Sequence, residues 1–151
     1  MSNINIRQAV LSDIDALAPL FDSYRQFYGC TPDIYAAREF LLSRFDHDES
    51  IILIAEDGGI AVGFAQLYPS FSSVSLARIF ILNDIFVYGQ SRRKGVARRL
   101  LRSAVGFAKT LGAVRLSLST MIDNDSAQSL YNSEGWKRDQ KFIVYHNPLQ
   151  V

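Results

Sequence analysis

Polar and apolar residues alternate from Asn3 to Gln8, with Ile4 and Ile6 on one side, and this period of two predicts an opening strand. The period then lengthens. Ser12 and Asp13 offer cap chemistry ahead of Ile14, Leu17, Leu20 and Phe21, which share one helical face. Pro19 removes a backbone donor inside that stretch and is expected to kink or split the helix. A break at Gly29 to Pro32 precedes a second predicted helix, from about Asp33 to Phe45, with Ala37, Phe40, Leu41 and Phe45 along one face.

Ile51 to Ala55 reads as a short apolar strand, Asp57-Gly58-Gly59 as a hairpin turn, and Ile60 to Tyr68 as the returning strand. Pro69 to Ser75 is a Ser-rich loop or a frayed strand end. Arg78 to Val87 is almost continuously apolar, the pattern of a central strand buried on both faces, so Asn83 and Asp84 within it are conspicuous. A helix follows from about Gly95 to Thr110. Its buried stripe is Val96, Leu100, Ala104, Phe107, Ala108 and Leu111, with Arg98, Arg102 and Lys109 toward water and Gly112 as the cap. Val114 to Ser119 predicts a strand, Asn124 to Ser133 a short helix closed by Gly135 and Trp136, and Phe142 to Tyr145 a final strand. The order β-α-α-β-β-β-α-β-α-β predicts the α/β class: one domain over 1–151, a mixed sheet with helices on its faces.

Composition narrows the class further. With 48% apolar and 21% charged residues, the chain of 151 residues has the make-up of an ordinary soluble globular domain. The lone Cys30 has no disulfide partner and no second cysteine for a metal site, which points to a reducing compartment. Asn3, Asn5, Arg7 and Gln8 interrupt any signal-like apolar run, and no stretch approaches the roughly 20 residues that span a bilayer. A cytoplasmic protein without a membrane partner is expected. His47 and His146 lack paired ligand spacing, so no metal is expected.

Charge changes the picture locally. The net charge is only +1, yet residues 92 to 102 hold Arg92, Arg93, Lys94, Arg98, Arg99 and Arg102 without an acid. One compact basic patch suits a small polyanion better than a nucleic acid, which would need a broader basic face. A solvated arginine-rich helix face is the plain alternative. The patch also stands where a strand runs into a helix, whose first amides and dipole favour an anion. Gly95 and Ala97 are small enough for close approach to the backbone. Neither a Gly-x-x-x-x-Gly-Lys-Ser/Thr loop nor a Gly-x-Gly-x-x-Gly fingerprint is present.

The run Leu82 to Val87 followed by Arg92-Arg93-Lys94-Gly95-Val96-Ala97 resembles the acetyl-CoA signature of the GNAT N-acetyltransferase superfamily, Gln/Arg-x-x-Gly-x-Gly/Ala. Asn124 to Trp136 resembles that family's second motif, Asn-x-x-Ala-x-x-Leu-Tyr-x-x-x-Gly-Phe/Trp. The resemblance covers nearly the whole chain. It implies a twisted mixed sheet splayed between the fourth and fifth strands, and transfer of an acetyl group from acetyl-CoA to a primary amine, with CoA as product. The acceptor would be a small molecule or an amino terminus, attacked directly in a ternary complex. Arg92, Arg93, Lys94, Gly95, Val96 and Ala97 would hold the pyrophosphate. Ile85, Phe86 and Val87 would run beside the pantetheine arm, Ile85 and Val87 pairing with it through their backbone, and Asn124 would hydrogen-bond it.

Tyr131, by the same resemblance, would act as general acid. It lies seven residues after Asn124, near two helical turns and about 10 Å along the axis. Asn124 as a mere cap and Tyr131 as a core aromatic are the bland readings. The backbone N–H of Ile85 would stabilise the oxyanion. Similar enzymes carry a glutamate base where this chain has Asn83, which cannot serve. Asp84 follows, but neighbouring strand residues face opposite ways, so Asp84 as base, Asp84 as structural carboxylate and water-mediated deprotonation all stay open. Arg93 and Ala97 replace common glycines, which is tolerable with ordinary backbone angles. On the acceptor side the candidates are Tyr24, Tyr28, Gln66, Tyr68, Ser70 and Ser73, with Asp22 able to attract a cation. A non-catalytic acyl-CoA sensor is the competing class, favoured by Asn83. Homodimers are common among similar proteins, though no interface is legible here.

Overall fold

The computed structural model describes residues 3–150. By internal packing the chain divides into two units, residues 1–119 and 120–151. The first holds a five-stranded sheet in the order β1-β2-β3-β4-β5. These strands are β1 (Ile4–Gln8), β2 (Ile51–Asp57), β3 (Ile60–Ser72), β4 (Ala77–Val87) and β5 (Leu116–Leu118). The first four pair antiparallel, and β4 pairs parallel with β5, so the sheet is mixed.

Helix α1 (Ile14–Phe27) runs through Pro19 as one element, so the expected split does not occur. Its apolar face supplies the reason: Ile14, Leu17, Leu20 and Phe21 are buried against the sheet, and packing outweighs one missing backbone bond. Helix α2 (Ile34–Asp46) begins at the cap residue Asp33, whose side chain accepts from the Ala36 N–H at 3.0 Å. Ile52 and Ile54 of β2 and Phe64 of β3 complete this core layer. Leu53 and Ala55, also buried, alternate to the other face. Helix α3 (Val96–Thr110) packs across β1 to β4, burying Val96, Leu100, Leu101, Ala104 and Ala108. Full burial of a leucine such as Leu100 is worth about 1.5–3 kcal/mol.

Strand β3 reaches Ser72, well past the loop expected from Pro69. Its outer half is paired rather than frayed, Ser70 opposite Ile79 and Ser72 opposite Ala77. Two features shape the inner half. Gly63 lies opposite Val87, and a Cβ there would meet the Phe86 carbonyl oxygen at 2.8 Å, so β3 and β4 approach closely only because position 63 has no side chain. The register then slips: Gln66 faces Asp84 but Leu67 faces Leu82, leaving Asn83 as an extra residue in β4. Pairing with β5 covers only Phe80 to Leu82. From Asn83 to Val87, β4 continues with no β5 partner, which is the expected splay.

The second unit contains helix α4 (Asp125–Ser133). Gly135 takes a left-handed φ of 84°, and the Trp136 N–H returns to the Tyr131 carbonyl at 3.0 Å, closing the helix as the sequence predicts. The expected final strand at Phe142 to Tyr145 is not formed among the described residues. Those four side chains are 76–85% exposed. Their β propensity is high, but a strand exists only through a partner, which propensity does not provide.

Candidate active site

Asp84 sits at the bulge of β4 and is buried, 3% exposed. Its Oδ2 accepts from Gln66 Nε2 at 2.5 Å and its Oδ1 from Asn83 Nδ2 at 2.8 Å. The second bond corrects the expectation that residues 83 and 84 must point apart. The extra residue breaks strict alternation, so two neighbouring side chains meet. Tyr24 of α1 donates its hydroxyl to the Asn83 carbonyl at 3.3 Å. Burial, and then the negative charge of Asp84 and a hydrogen bond to it, push the Tyr24 phenol far above its ordinary value. Burial and the same charge push Tyr68 up to about 12, against a weaker opposing effect of Arg44. Both phenols are therefore neutral over any working pH. Two carboxamides and two phenols thus surround one carboxylate.

The Gln66 side chain is fully buried, and its Oε1 has no hydrogen-bond partner among the described residues. Tyr28 caps the end of α1 with its ring 5.1 Å from that of Tyr24, and is about half exposed. Ser70 and Ser73 are not brought here. Ser70 pairs with Ile79, four residues farther along β3 and roughly 13 Å away at strand rise, and Ser73 lies in the exposed turn beyond. Asp22 is not available to a cation either. It is buried, accepting from the Asp33 N–H at 3.0 Å, from Gln26 Nε2 at 3.2 Å and from Arg25 at 3.4 Å, so it ties α1 to the start of α2.

Past Val87 the chain makes a short turn at Gly89–Ser91 and enters the basic loop. Arg92, Arg93, Lys94 and Gly95 are exposed. Gly95 is the residue before α3, at φ 77°, and nothing lies within 4 Å of where its Cβ would be, so the space before the first helical turn is open. A glycine at the turn, the positive end of the α3 dipole and exposed cations fit a diphosphate there. Two expectations need correction. Arg93 has a left-handed φ of 63°, not an ordinary angle, so this turn places a bulky residue where glycine is commonly found. Arg92 folds back: its Nε donates to the Val87 carbonyl at 2.9 Å, and its guanidinium lies 5.5 Å from the Phe86 ring and 5.8 Å from Phe27. The Val87 carbonyl is thereby engaged within the chain. The Phe27–Arg92–Phe86 stack has no sequence signal, since Phe27 lies far from the other two in the chain. Gln66 did have one, as a polar residue in an apolar strand.

Asn124 is the N-cap of α4, its Oδ1 accepting from the Ala127 N–H at 3.1 Å. Tyr131, on the same helix, is partly buried with its ring 6.2 Å from Trp136. Among the described residues no three of His, Cys, Asp and Glu gather as metal ligands, and no helix is long and apolar enough to cross a membrane.

Comparison with known proteins agrees with this architecture. The chain is 49% identical over 142 residues to the uncharacterized N-acetyltransferase YhfO of Bacillus subtilis, covering 94% of this chain and 95% of that one. It is 34% identical to a probable acetyltransferase of Haemophilus influenzae, covering 91% and 92%. A crystal structure of a probable acetyltransferase superposes with a TM-score of 0.91 at 46% identity, covering 97% of this chain and 99% of that one. Residues 17–136 match the Acetyltransferase (GNAT) family, and the chain belongs to it.

Proposed function

We propose that the protein transfers the acetyl group of acetyl-CoA to a primary amine, on a small molecule or an amino terminus, by direct attack in a ternary complex. The observation that carries this reading is a buried carboxylate, Asp84, at the point where β4 loses its β5 partner. Acetyl-CoA, when bound, supplies a thioester carbonyl activated toward amines. The turn from Arg92 to Ala97 holds the pyrophosphate through backbone N–H groups, with Arg93 and Lys94 adding charge. Ile85 and Phe86 would line the arm, and the Ile85 N–H would be the donor that stabilises negative charge on the thioester oxygen. Asn124 gives its Oδ1 to the helix cap and keeps Nδ2 as a donor for the arm.

An amine that arrives as ammonium must lose a proton before it attacks. Asn83 cannot take it. Asp84 can, because it is ionisable and held only by neutral donors. Tyr131, a phenol protonated at neutral pH, returns a proton to the departing sulfur. The test is thiol release from acetyl-CoA across a panel of amines, with CoA affinity measured in parallel. Tight CoA binding without turnover on any amine or peptide would replace this reading with that of a non-catalytic acyl-CoA sensor, which Asn83 favours.

A further inference from the structure

We propose that the acceptor is a primary amine bearing a single positive charge on an aromatic or apolar body, its ammonium seated against Asp84 and the free Oε1 of Gln66. This deepens the transferase reading and rests on it for the direction of the chemistry.

The charge count comes first. Among the described residues two carboxylates are buried, Asp22 and Asp84, and Asp22 has its own partners in Arg25 and the Asp33 N–H. Asp13 and Glu56 share Arg7, Asp15 pairs with Arg38, Glu49 with Arg44, and Asp22 and Asp33 hold the α1–α2 junction. Asp84 is buried, yet no salt bridge to it is found among the described residues. A buried carboxylate held by two amides and a phenol, all neutral, keeps its full negative charge without a countercharge. The second observation is independent. Gln66 is fully buried and commits its N–H to Asp84, which leaves its Oε1 with no donor. One anion and one neutral acceptor, side by side, match a group with a positive charge and several N–H donors: a primary ammonium. A quaternary ammonium has no N–H to give Gln66.

The surroundings define the rest of the molecule. Tyr24 joins the polar cluster to an aromatic wall, its ring 5.8 Å from Phe64, 6.3 Å from Phe86 and 5.1 Å from Tyr28. Phe27, 5.3 Å from Tyr28, is about half exposed, as is Tyr28 itself. Over Phe27 and Phe86 lies the Arg92 guanidinium. A second cation on the acceptor would meet Arg92 where it needs an acid. An aromatic or apolar body meets rings.

Calorimetric titration of the whole protein, with and without saturating CoA, would use phenethylamine, its N,N,N-trimethyl analogue, spermidine and kanamycin. Phenethylamine should bind at least roughly tenfold more tightly than the other three. Asp84→Asn should weaken phenethylamine by roughly tenfold or more while CoA affinity changes less than about twofold. Equal or tighter binding of a polycation or of the trimethyl analogue overturns the proposal, as does unchanged phenethylamine affinity in Asp84→Asn. So does failure of any amine to bind. The wild-type panel needs no variant to fold, and CoA binding by Asp84→Asn checks its integrity. Should phenethylamine bind without thiol release from acetyl-CoA, the transferase reading fails and this one stands. Should spermidine turn over and phenethylamine not, the reverse holds.

Discussion

In the proposed function, the turn before α3 and the bulge in β4 are opposite solutions to binding a charged group. The turn is local and built from six consecutive residues, exposed from Arg92 to Gly95, with Gly95 at φ 77° and open space before the helix, and its proposed grip is through the backbone. The bulge cluster has a buried centre, Gln66 and Asp84, ringed by Tyr24, Tyr68 and Asn83, and its members come from three separate elements. A local backbone site tolerates side-chain change but not a change of backbone angle. A buried side-chain cluster tolerates neither loss of charge nor loss of a single donor. The two should therefore fail in different measurements.

The largest effect is expected at the bulge. Asp84→Asn should lower turnover by about 100-fold or more, the range of a lost general base, with CoA affinity nearly unchanged. Equal losses in both would merge the two sites and break the contrast. Gly95→Asp comes next. It forces a side chain into a left-handed angle and sets a negative charge at the helix end, so the Kd for CoA should rise about 10- to 100-fold. Tyr131→Phe should cost about tenfold or somewhat more in turnover, with CoA affinity intact, the pattern of a proton donor rather than a binding group.

Smaller effects concern the frame that holds the bulge. Gly63→Ala should cost about 1–3 kcal/mol in denaturant unfolding, because the new Cβ meets backbone rather than a movable side chain. The smallest is at the foot of β1. The Arg7 guanidinium, bonded to Asp13 at 2.8 Å, holds the Asp13 carboxyl below its ordinary value. Its stabilisation is thus present above pH 4 or so and lost as pH falls through the depressed value. Asp13→Asn should lower stability at pH 7 by less than about 1 kcal/mol, and the gap in Tm should close in acid.

The elements that carry the proposed cofactor residues are legible in the sequence because their parts are contiguous. Spacing alone set Gly95 ahead of a helix with an apolar stripe from Val96 to Ala108, and placed Asn124 and Tyr131 on a single helix. The acceptor side was read only as a set of names. Gln66 and Tyr68 were candidates alongside Ser70, Ser73 and Asp22, and nothing local separates them. Register did so: Gln66 meets Asp84 across the β3–β4 pair, Ser70 is carried toward the hairpin tip, and Asp22 is consumed by the α1–α2 junction. Pro19 and Phe142 to Tyr145 misled for related reasons, since packing rescued a helix that propensity would break, and propensity alone did not make a strand.

By itself, then, the order of residues determined the element sequence from β1 to α4, the basic turn and both family motifs, because each depends on neighbours within a few turns or one strand. Tertiary structure decided that the buried Asp84 meets Gln66, that Phe27 lies under Arg92, and that Asn83 and Asp84 touch. Those outcomes depend on a single extra residue in one strand and on groups tens of positions apart, where sequence spacing places no constraint on distance.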